Sequence, residues 1–590
     1  MEIKKMMAYL KMHLRKNKSQ PKIYQKQEVK MNNKWIIAAM SICIAQTLYA
    51  QPGKENTVVV QGDYTPKIVN AEKIFEQPTN NDSSKTDFDI KYDLLSKRVP
   101  TVYEVDPIKA ANVKGEPLNK LYKGHVKGGF GTYMTPYAEL FYHNLRSKKH
   151  ATGVHLKHFS SGGQISDVGY SGFSQNQLSL FGKSFIKKST LSGGLDYSRN
   201  VIHYYGFNTN PIDTSLWTNE FGLERNDIKQ RYQLVNLDVA LSDNYPVDSH
   251  ATKYKVDANY YNYADRFNAQ ENRFKVNGDV SFYYRDYNLN AVASVDYYKN
   301  QNDSGTTNLT IANLRPRITF KKAKWRLQAG LNAYISNDPD KSFRFAPEVD
   351  FDLHIYENII ILNVGTDSRL RRNSYRNLTE ENPFLFTNID LRNTWSPFRW
   401  YAGLRGAVSA RMSFNVKASY VLLENQYFFV NDTSKGNWNK MNVVYDDASL
   451  FQVNGEITYQ QNEKLRFIAK VDYMGFTPSK ELKAWHVPSL RMSYGAKYNL
   501  RDKIWINAAV LTFNRQFARN FFTDPTTGVT TTLQRQIGGI TDINLGAEYR
   551  YTKKLGMFVQ LNNILNVRYQ RYQDFPTQRF NLLAGLSFSF

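Results

Sequence analysis

From residue 125 onward, short polar links alternate with long irregular segments, and the stretches between them carry apolar residues at every second position. The links are "RSKKH" at 146–150, "IKKST" at 186–190, the longer "SDNYPVDSH" at 242–250, "RDYN" at 285–288, "KKAK" at 321–324, "YEN" at 356–358, "SAR" at 409–411, "NEK" at 462–464, "RDK" at 501–503 and "TKK" at 552–554. The clearest long segments are 201–231, 368–396, 424–444 and 515–538, all rich in aromatics. A period of two marks a strand, because successive side chains point to opposite faces. In "LNAVASVDY", Leu289, Ala291, Ala293, Val295 and Tyr297 share one face, against Asn290, Ser294 and Asp296 on the other. In "FIAKVDY", Phe467, Ala469, Val471 and Tyr473 stand against Lys470 and Asp472. Charged residues on the second face do not suit the dry core of a sandwich, but they suit a wet lumen. Alternation of tight turns with long loops is the connectivity of a transmembrane β-barrel.

Ten links separate eleven strand pairs, which predicts an all-β, antiparallel barrel of about 22 strands over 125–590. The expected strands run from 126–133 to 579–590 and include 343–356, 411–423, 446–461 and 555–567. Closure removes the exposed edges that so large a sheet would otherwise carry. A β-propeller would show self-similar blades with a recurring signature, and none is visible. Aromatics at 14% with only 42% hydrophobic residues fit a thin apolar band rimmed with rings.

Ahead of the barrel, residues 1–30 are basic and without hydrophobic pattern, and read as an over-extended start before Met31. Residues 31–50, with "WIIAAMSICIAQTLYA" after Lys34, read as a signal peptide cut after Ala50. Cleavage there removes Cys43, the one cysteine, in keeping with an exported chain without disulfides. Residues 51–124 are polar, with dispersed prolines and no apolar periodicity, and are expected to form a short, mostly extended periplasmic or lumenal segment. The formal net charge of +24 is dispersed rather than gathered in a patch, so nucleic acid is not an expected partner.

Through the runs "VQLNNILNVRY" (559–569) and "LLAGLSFSF" (582–590), the C-terminal third resembles the TonB-dependent receptors of Gram-negative bacteria, and the overall style of the chain, with many Tyr and Asn, resembles Bacteroidetes proteins. "VQLNNILNVRY" (559–569) is similar to that family's penultimate-strand run, with Asn563, Ile564, Leu565, Asn566 and Tyr569 at the matching places. The ending "LLAGLSFSF" resembles the family's last strand, which implies that Phe588 and Phe590 serve as a recognition signal for the barrel-assembly machinery. "TVVVQGDYTPKI" (57–68) resembles the energy-coupling box, in which Thr57, Val58, Val59 and Val60 would add as a strand to the coupling protein TonB. The family's folded plug domain is larger than the stretch 51–124, so the resemblance covers the barrel and the box but not a full plug.

The resemblance implies a cell outer-membrane location, contact with outer-membrane lipids, and uptake of a nutrient. The alternative is a plugless barrel that scaffolds or helps assemble an outer-membrane complex, with a surface or periplasmic lipoprotein as partner. No enzymatic or cofactor motif is present, and no metal site is expected. His143, His150, His155 and His158 lie close in sequence, but 155 and 158 fall on opposite faces of a strand. Candidate ligand contacts are loop aromatics: Tyr204, Tyr205, Phe207 and Trp217 in one loop, and Phe428, Phe429 and Trp438 in another. Something is expected to fill so wide a lumen. The first candidate is the segment 51–124, its Lys97, Arg98, Glu104, Asp106 and Lys109 pairing with lumenal Lys470, Asp472 and Glu548. Inward folding of 201–231 and 368–396, or a partner protein, are the others.

Overall fold

The computed structural model describes residues 121–590 except 145–146, 164, 208–223, 245–249, 357–358, 433–438 and 524–529. The expectations for 1–30, the signal peptide, the segment 51–120, Thr57–Val60, Trp217 and Trp438 lie outside the described residues. Among those described, no helix is long and apolar enough to cross a membrane.

Twenty-two antiparallel strands form one sheet. The sheet closes where the first strand, Gly124–Gly131, pairs with the last, Asn581–Ser589, in a register running from His125 opposite Ser589 to Gly131 opposite Leu583. All ten predicted links fall at one end of the barrel, between consecutive strands. Many strand limits agree closely with the periodicity, and Phe343–Tyr356 coincides with it.

The closing seam is built on glycine. A Cβ on Gly585 would lie 2.1 Å from the Gly128 carbonyl oxygen and 2.6 Å from the Gly129 Cα. Both obstacles are backbone, so any side chain there forces the two strands apart. At the rim, Gly124 and Phe590 exchange N–H···O bonds of 3.0 Å, and the Phe590 ring lies over the bare Cα of Gly124. Phe588 and Phe590 both sit on the outer face, their rings 6.2 Å apart.

The two faces of the sheet divide as the alternation predicts. Leu195, Val239, Val295 and Leu314 are among the outward residues, each at least 38% exposed. So continuous an apolar belt far exceeds what water tolerates on a soluble protein. The inner face carries polar pairs between neighbouring strands. Arg273 donates twice to Asp296, at 2.7 Å each, Arg315 pairs with Glu348 at 2.9 Å, and Asp352 takes Arg326 at 2.8 Å and Arg405 at 3.0 Å. The charges expected to meet 51–124 already have wall partners. Lys470 pairs with Glu456 at 2.8 Å, Glu548 with Lys127 at 3.0 Å, and Asp472 accepts from Asn454.

Three expectations need correction, the first being that 515–538 is irregular, since Gln516–Thr523 and Thr530–Ile537 pair there as a two-stranded antiparallel sheet. The segment 424–444 is mostly strand: Met412–Asn431 and Met441–Gln461 run on past the predicted loop boundary. A bulge at Leu423/Gln426, with Asn425 at φ 54°, bends this hairpin without ending it. The strand predicted over 555–567 stops at Asn562, because Asn563 and Asn566 take left-handed backbone at φ 49° and 56°. The Asn563 side chain then holds the loop, accepting from the Val567 N–H at 3.2 Å and donating to the Val567 and Gln578 carbonyls at 2.7 and 3.1 Å.

Candidate functional site in the barrel mouth

At the long-loop end the lumen is occupied by loops that fold inward. The segment between the strands Ile360–Arg372 and Asn393–Ser409 enters as a short helix, Tyr375–Glu381. Ser374 caps it by accepting from the Asn377 N–H at 3.2 Å. The buried carboxylate of Glu271, on a wall strand, takes the Tyr375 N–H at 2.8 Å, and negative charge at a helix N-terminus is favourable. Asp265 is a second anchor. It accepts from Tyr375 Oη at 2.8 Å, Thr387 Oγ1 at 2.9 Å and Gln230 Nε2 at 3.0 Å.

Buried tyrosines bind this segment to its surroundings. Tyr204 donates to the Leu385 carbonyl, Tyr232 to the Pro383 carbonyl and Tyr572 to the Glu381 carbonyl, each at 2.8 Å. A tyrosine ring fills apolar space while its hydroxyl satisfies a carbonyl that would otherwise be buried without a partner. Burial raises the Tyr204, Tyr375 and Tyr572 phenols above their ordinary range, so they stay protonated and donate. The rings of Tyr232, Tyr375 and Tyr572 pack with Leu234, Leu378, Leu385, Phe429, Met441 and Phe575 into the largest apolar cluster of the described residues, while Tyr204 packs with Phe207 and Ile228 in a smaller one.

Beside this cluster lies a cavity of about 440 Å³. Arg369, Arg371, Arg399, Arg491 and Arg571 line it, with Asp367 and Glu381 as the acids. Arg399 is spent on Asp367, with Nε to Oδ1 at 2.8 Å. Arg371 donates to Tyr427 Oη at 3.0 Å, and Tyr427 donates in turn to Glu381 at 2.5 Å. Among the described residues no carboxylate pairs with Arg369, Arg491 or Arg571. Tyr427, Phe429, Trp485, Phe513 and Tyr572 supply flat walls. The arrangement suits an anion that also presents a planar or apolar surface.

His486 ties this wall together. Its Nδ1 donates to the Phe429 carbonyl at 2.9 Å and its Nε2 accepts from the Gln573 N–H at 3.2 Å, a pattern that needs the neutral ring. Burial lowers its pKa to about 4, against the smaller opposing effect of the Phe429 carbonyl. Trp485, fully buried beside it, donates to Glu481 at 2.6 Å.

The sequence candidates are placed otherwise than as open contacts. Tyr204, Phe207, Phe428 and Phe429 are each under 9% exposed and pack among loops and strand ends, while Tyr205 is partly buried and donates to the Pro576 carbonyl at 3.0 Å. Phe428 and Phe429 belong to a strand rather than a loop, and of the candidates among the described residues only these two line the arginine cavity. The arginines escaped the sequence reading. The available signal was Arg369 and Arg371 two apart at the loop end of a strand, but nothing local shows that Arg491 and Arg571 converge on them. The histidines do not gather: His155 pairs with Glu139 at 3.0 Å, His158 bonds Asn176 on the outer face, and His143 and His150 are exposed at the short-link end.

No protein-family model matches the chain, and no curated protein matches it by sequence. Solved structures do match in shape. The pyoverdine outer membrane receptor FpvA from Pseudomonas aeruginosa PAO1, bound to pyoverdine, superposes with a TM-score of 0.57 at 12% identity, over 80% of this chain and 79% of that one. The siderophore receptor PirA from Acinetobacter baumannii gives 0.56 at 10% identity, over 80% and 81%. The FpvAI–pyocin S2 complex gives 0.57 at 13%, over 80% and 74%. At such low identity the likeness concerns architecture, and the chain has the 22-strand barrel fold of outer-membrane receptors.

Proposed function

We propose that this barrel is a receptor-type transporter of the Gram-negative outer membrane that captures an anionic nutrient in the arginine-lined cavity of its mouth. The observation that carries the reading is the set Arg369, Arg491 and Arg571, three arginines lining one cavity without carboxylate partners among the described residues. The neighbours named above are receptors rather than enzymes, and the binding of pyoverdine by one of them, like that of enterobactin by a further receptor of similar shape from Pseudomonas aeruginosa, makes iron chelates the first ligands to try. Coupling through Thr57–Val60 to TonB, and assembly through Phe588 and Phe590, complete the proposal.

The test is binding to the purified full chain, followed by tryptophan quenching with ferric enterobactin, ferric citrate and a neutral ferric hydroxamate. Arg491→Gln/Arg571→Gln should weaken the anionic chelates at least tenfold, about 1.4 kcal/mol or more, and leave the neutral one unchanged. Equal affinity for neutral and anionic chelates, or no effect of the double variant, overturns the assignment. Deleting Thr57–Val60 should abolish uptake in cells while leaving binding intact; a scaffold barrel that transports nothing would be indifferent to the deletion.

A further inference from the structure

On the outer face, one part of the mouth rim departs from the apolar belt. Lys229 and Arg231 project on the same side of their strand as Val235 and Leu237, and Arg199 on the same side as Leu195, by the period of two. Leu195 and Leu237 are 38% and 46% exposed and belong to the belt, so these cations stand directly above it. Arg199 faces Gln233 and Arg231 faces Val201 across the strand pair, which brings both guanidiniums onto one patch.

A groove of about 450 Å³ opens at this patch. Phe130, Met134 and Val201 give it an apolar side, and Arg199, Arg225 and Lys229 a basic side. No described lining residue is acidic, and no ion pair engages these three cations among the described residues. Arg225 is steadied over the Tyr170 ring at 3.9 Å. One buried polar atom of the groove lining lacks any hydrogen-bond partner, Nε2 of His203, which is only 4% exposed, and so does Nε of Arg231, which stands beside the groove opposite the lining residue Val201. His203 Nδ1 is engaged by the Gly172 carbonyl at 2.6 Å, so Nε2 is left as an acceptor for a hydroxyl, while Arg231 Nε–H is a donor for a phosphate oxygen. Leaving such groups buried and unpaired is costly, and a ligand offering both chemistries removes the cost.

We propose that this groove binds the phosphorylated sugar headgroup of an outer-leaflet glycolipid, whose acyl chains lie on the belt below. The inference rests on the outer-membrane placement above but not on the arginine cavity or on uptake. A lipid is favoured over a free phosphate ion because the apolar side of the groove is continuous with the belt. Phe130 is 61% exposed and shares its strand face with Val126, and Met134 is 69% exposed beside it. Cations placed above a hydrophobic band are where a phosphate at the membrane interface meets a protein.

The experiment is native mass spectrometry of the purified full chain in neutral detergent, titrated with bisphosphorylated lipid A. The wild type should retain one lipid A at micromolar concentration. Arg199→Gln/Arg231→Gln should weaken retention at least tenfold. Lys299→Gln, which removes an outward charge from a distant strand, should not change it. Resistance of the folded band to SDS before heating shows that each variant has formed its barrel; if the double variant does not fold, Arg225→Gln, at an exposed loop position, takes its place with the same expectation. Equal retention of dephosphorylated lipid A overturns the proposal, as does wild-type retention by a folded variant. Complete displacement by millimolar inorganic phosphate also overturns it, because the site would then recognise the free ion rather than the lipid.

Discussion

The barrel wall and the barrel mouth are held by different chemistry. In the wall, each strand is hydrogen-bonded to its neighbour along a ladder interrupted by a few local bulges, and the lumenal charges mostly pair with a residue one or two strands away. In the mouth, loops are held by side chains reaching across large sequence separations. Tyr204 donates to a carbonyl 181 residues away, and Tyr205 to one 371 residues away. The wall is thus specified by local pattern and the mouth by a few long-range anchors. It follows that damage to the wall should be all-or-none, while damage to the mouth should be confined to the mouth.

The sharpest break is at the closing seam. Gly585→Val places a branched side chain where even a Cβ would lie 2.1 Å from the Gly128 carbonyl oxygen. Overpacking against side chains usually costs about 1–3 kcal/mol because rotamers yield, but here the obstacle is backbone in a paired strand. The expected outcome is loss of the compact, heat-modifiable form on unheated gels and no insertion into membranes. A normally folded Gly585→Val protein would mean that the ends meet in a different register. The equivalent change at Gly128, whose Cβ would meet nothing within 4 Å, should be tolerated and serves as the control.

The contrast also explains what could be read from the sequence. The strand 343–356 was legible because Phe343, Phe345, Val349 and Ile355 alternate with Arg344, Glu348, Asp350 and Asp352, and each set has one solvent to face. The links were legible because a turn between long strands concentrates polar and charged residues. Strand ends near the mouth were misread where the solvent argument fails. In "NQYFFVN", Tyr427, Phe428, Phe429 and Val430 are all buried, since the loop cluster of Leu378 and Leu385 covers Tyr427 and Phe429 on one face and the segment 479–489 with its Trp485 covers Phe428 and Val430 on the other. A strand buried on both faces loses its alternation and resembles an aromatic loop. The arginine cavity was illegible for a related reason: Arg369, Arg491 and Arg571 lie on elements far apart in sequence, and each alone looks like an ordinary rim charge.

A milder perturbation separates mouth from wall by pH. His486 is neutral and buried, with its pKa lowered to about 4 from 6.5. A site released from its packing regains the ordinary value, so it takes up a proton below pH 6.5 whereas the docked site resists until about pH 4. The docked state is therefore fully favoured above pH 6.5 and loses stability as pH falls toward 4, by up to about 3 kcal/mol in all. Hydrogen–deuterium exchange, corrected for intrinsic rates, should show segments 479–489 and 570–576 opening between pH 6.5 and 4.5 while strand amides stay protected. His486→Gln should flatten that dependence. Exchange in these segments that does not respond to pH would remove His486 from its anchoring role.

The smallest effect is expected inside the wall. Lys470 and Glu456 make a close pair at 2.8 Å, yet their side chains are 49% and 43% exposed to the lumen. Water there already solvates both charges, and ordering two long side chains offsets the weak attraction that remains. The backbone ladder between these strands, fourteen residue pairs from Ala448–Pro478 to Gln461–Leu465, does not depend on them. Lys470→Ala should therefore leave the thermal unfolding midpoint of the barrel unchanged within error, at low and at high salt. A measurable drop that disappears in high salt would show that the lumen at this level is drier than the exposures indicate, and that some element covers it from within. The wall would then depend on lumenal packing as the mouth does, and the division between the two regions would have to be drawn lower in the barrel.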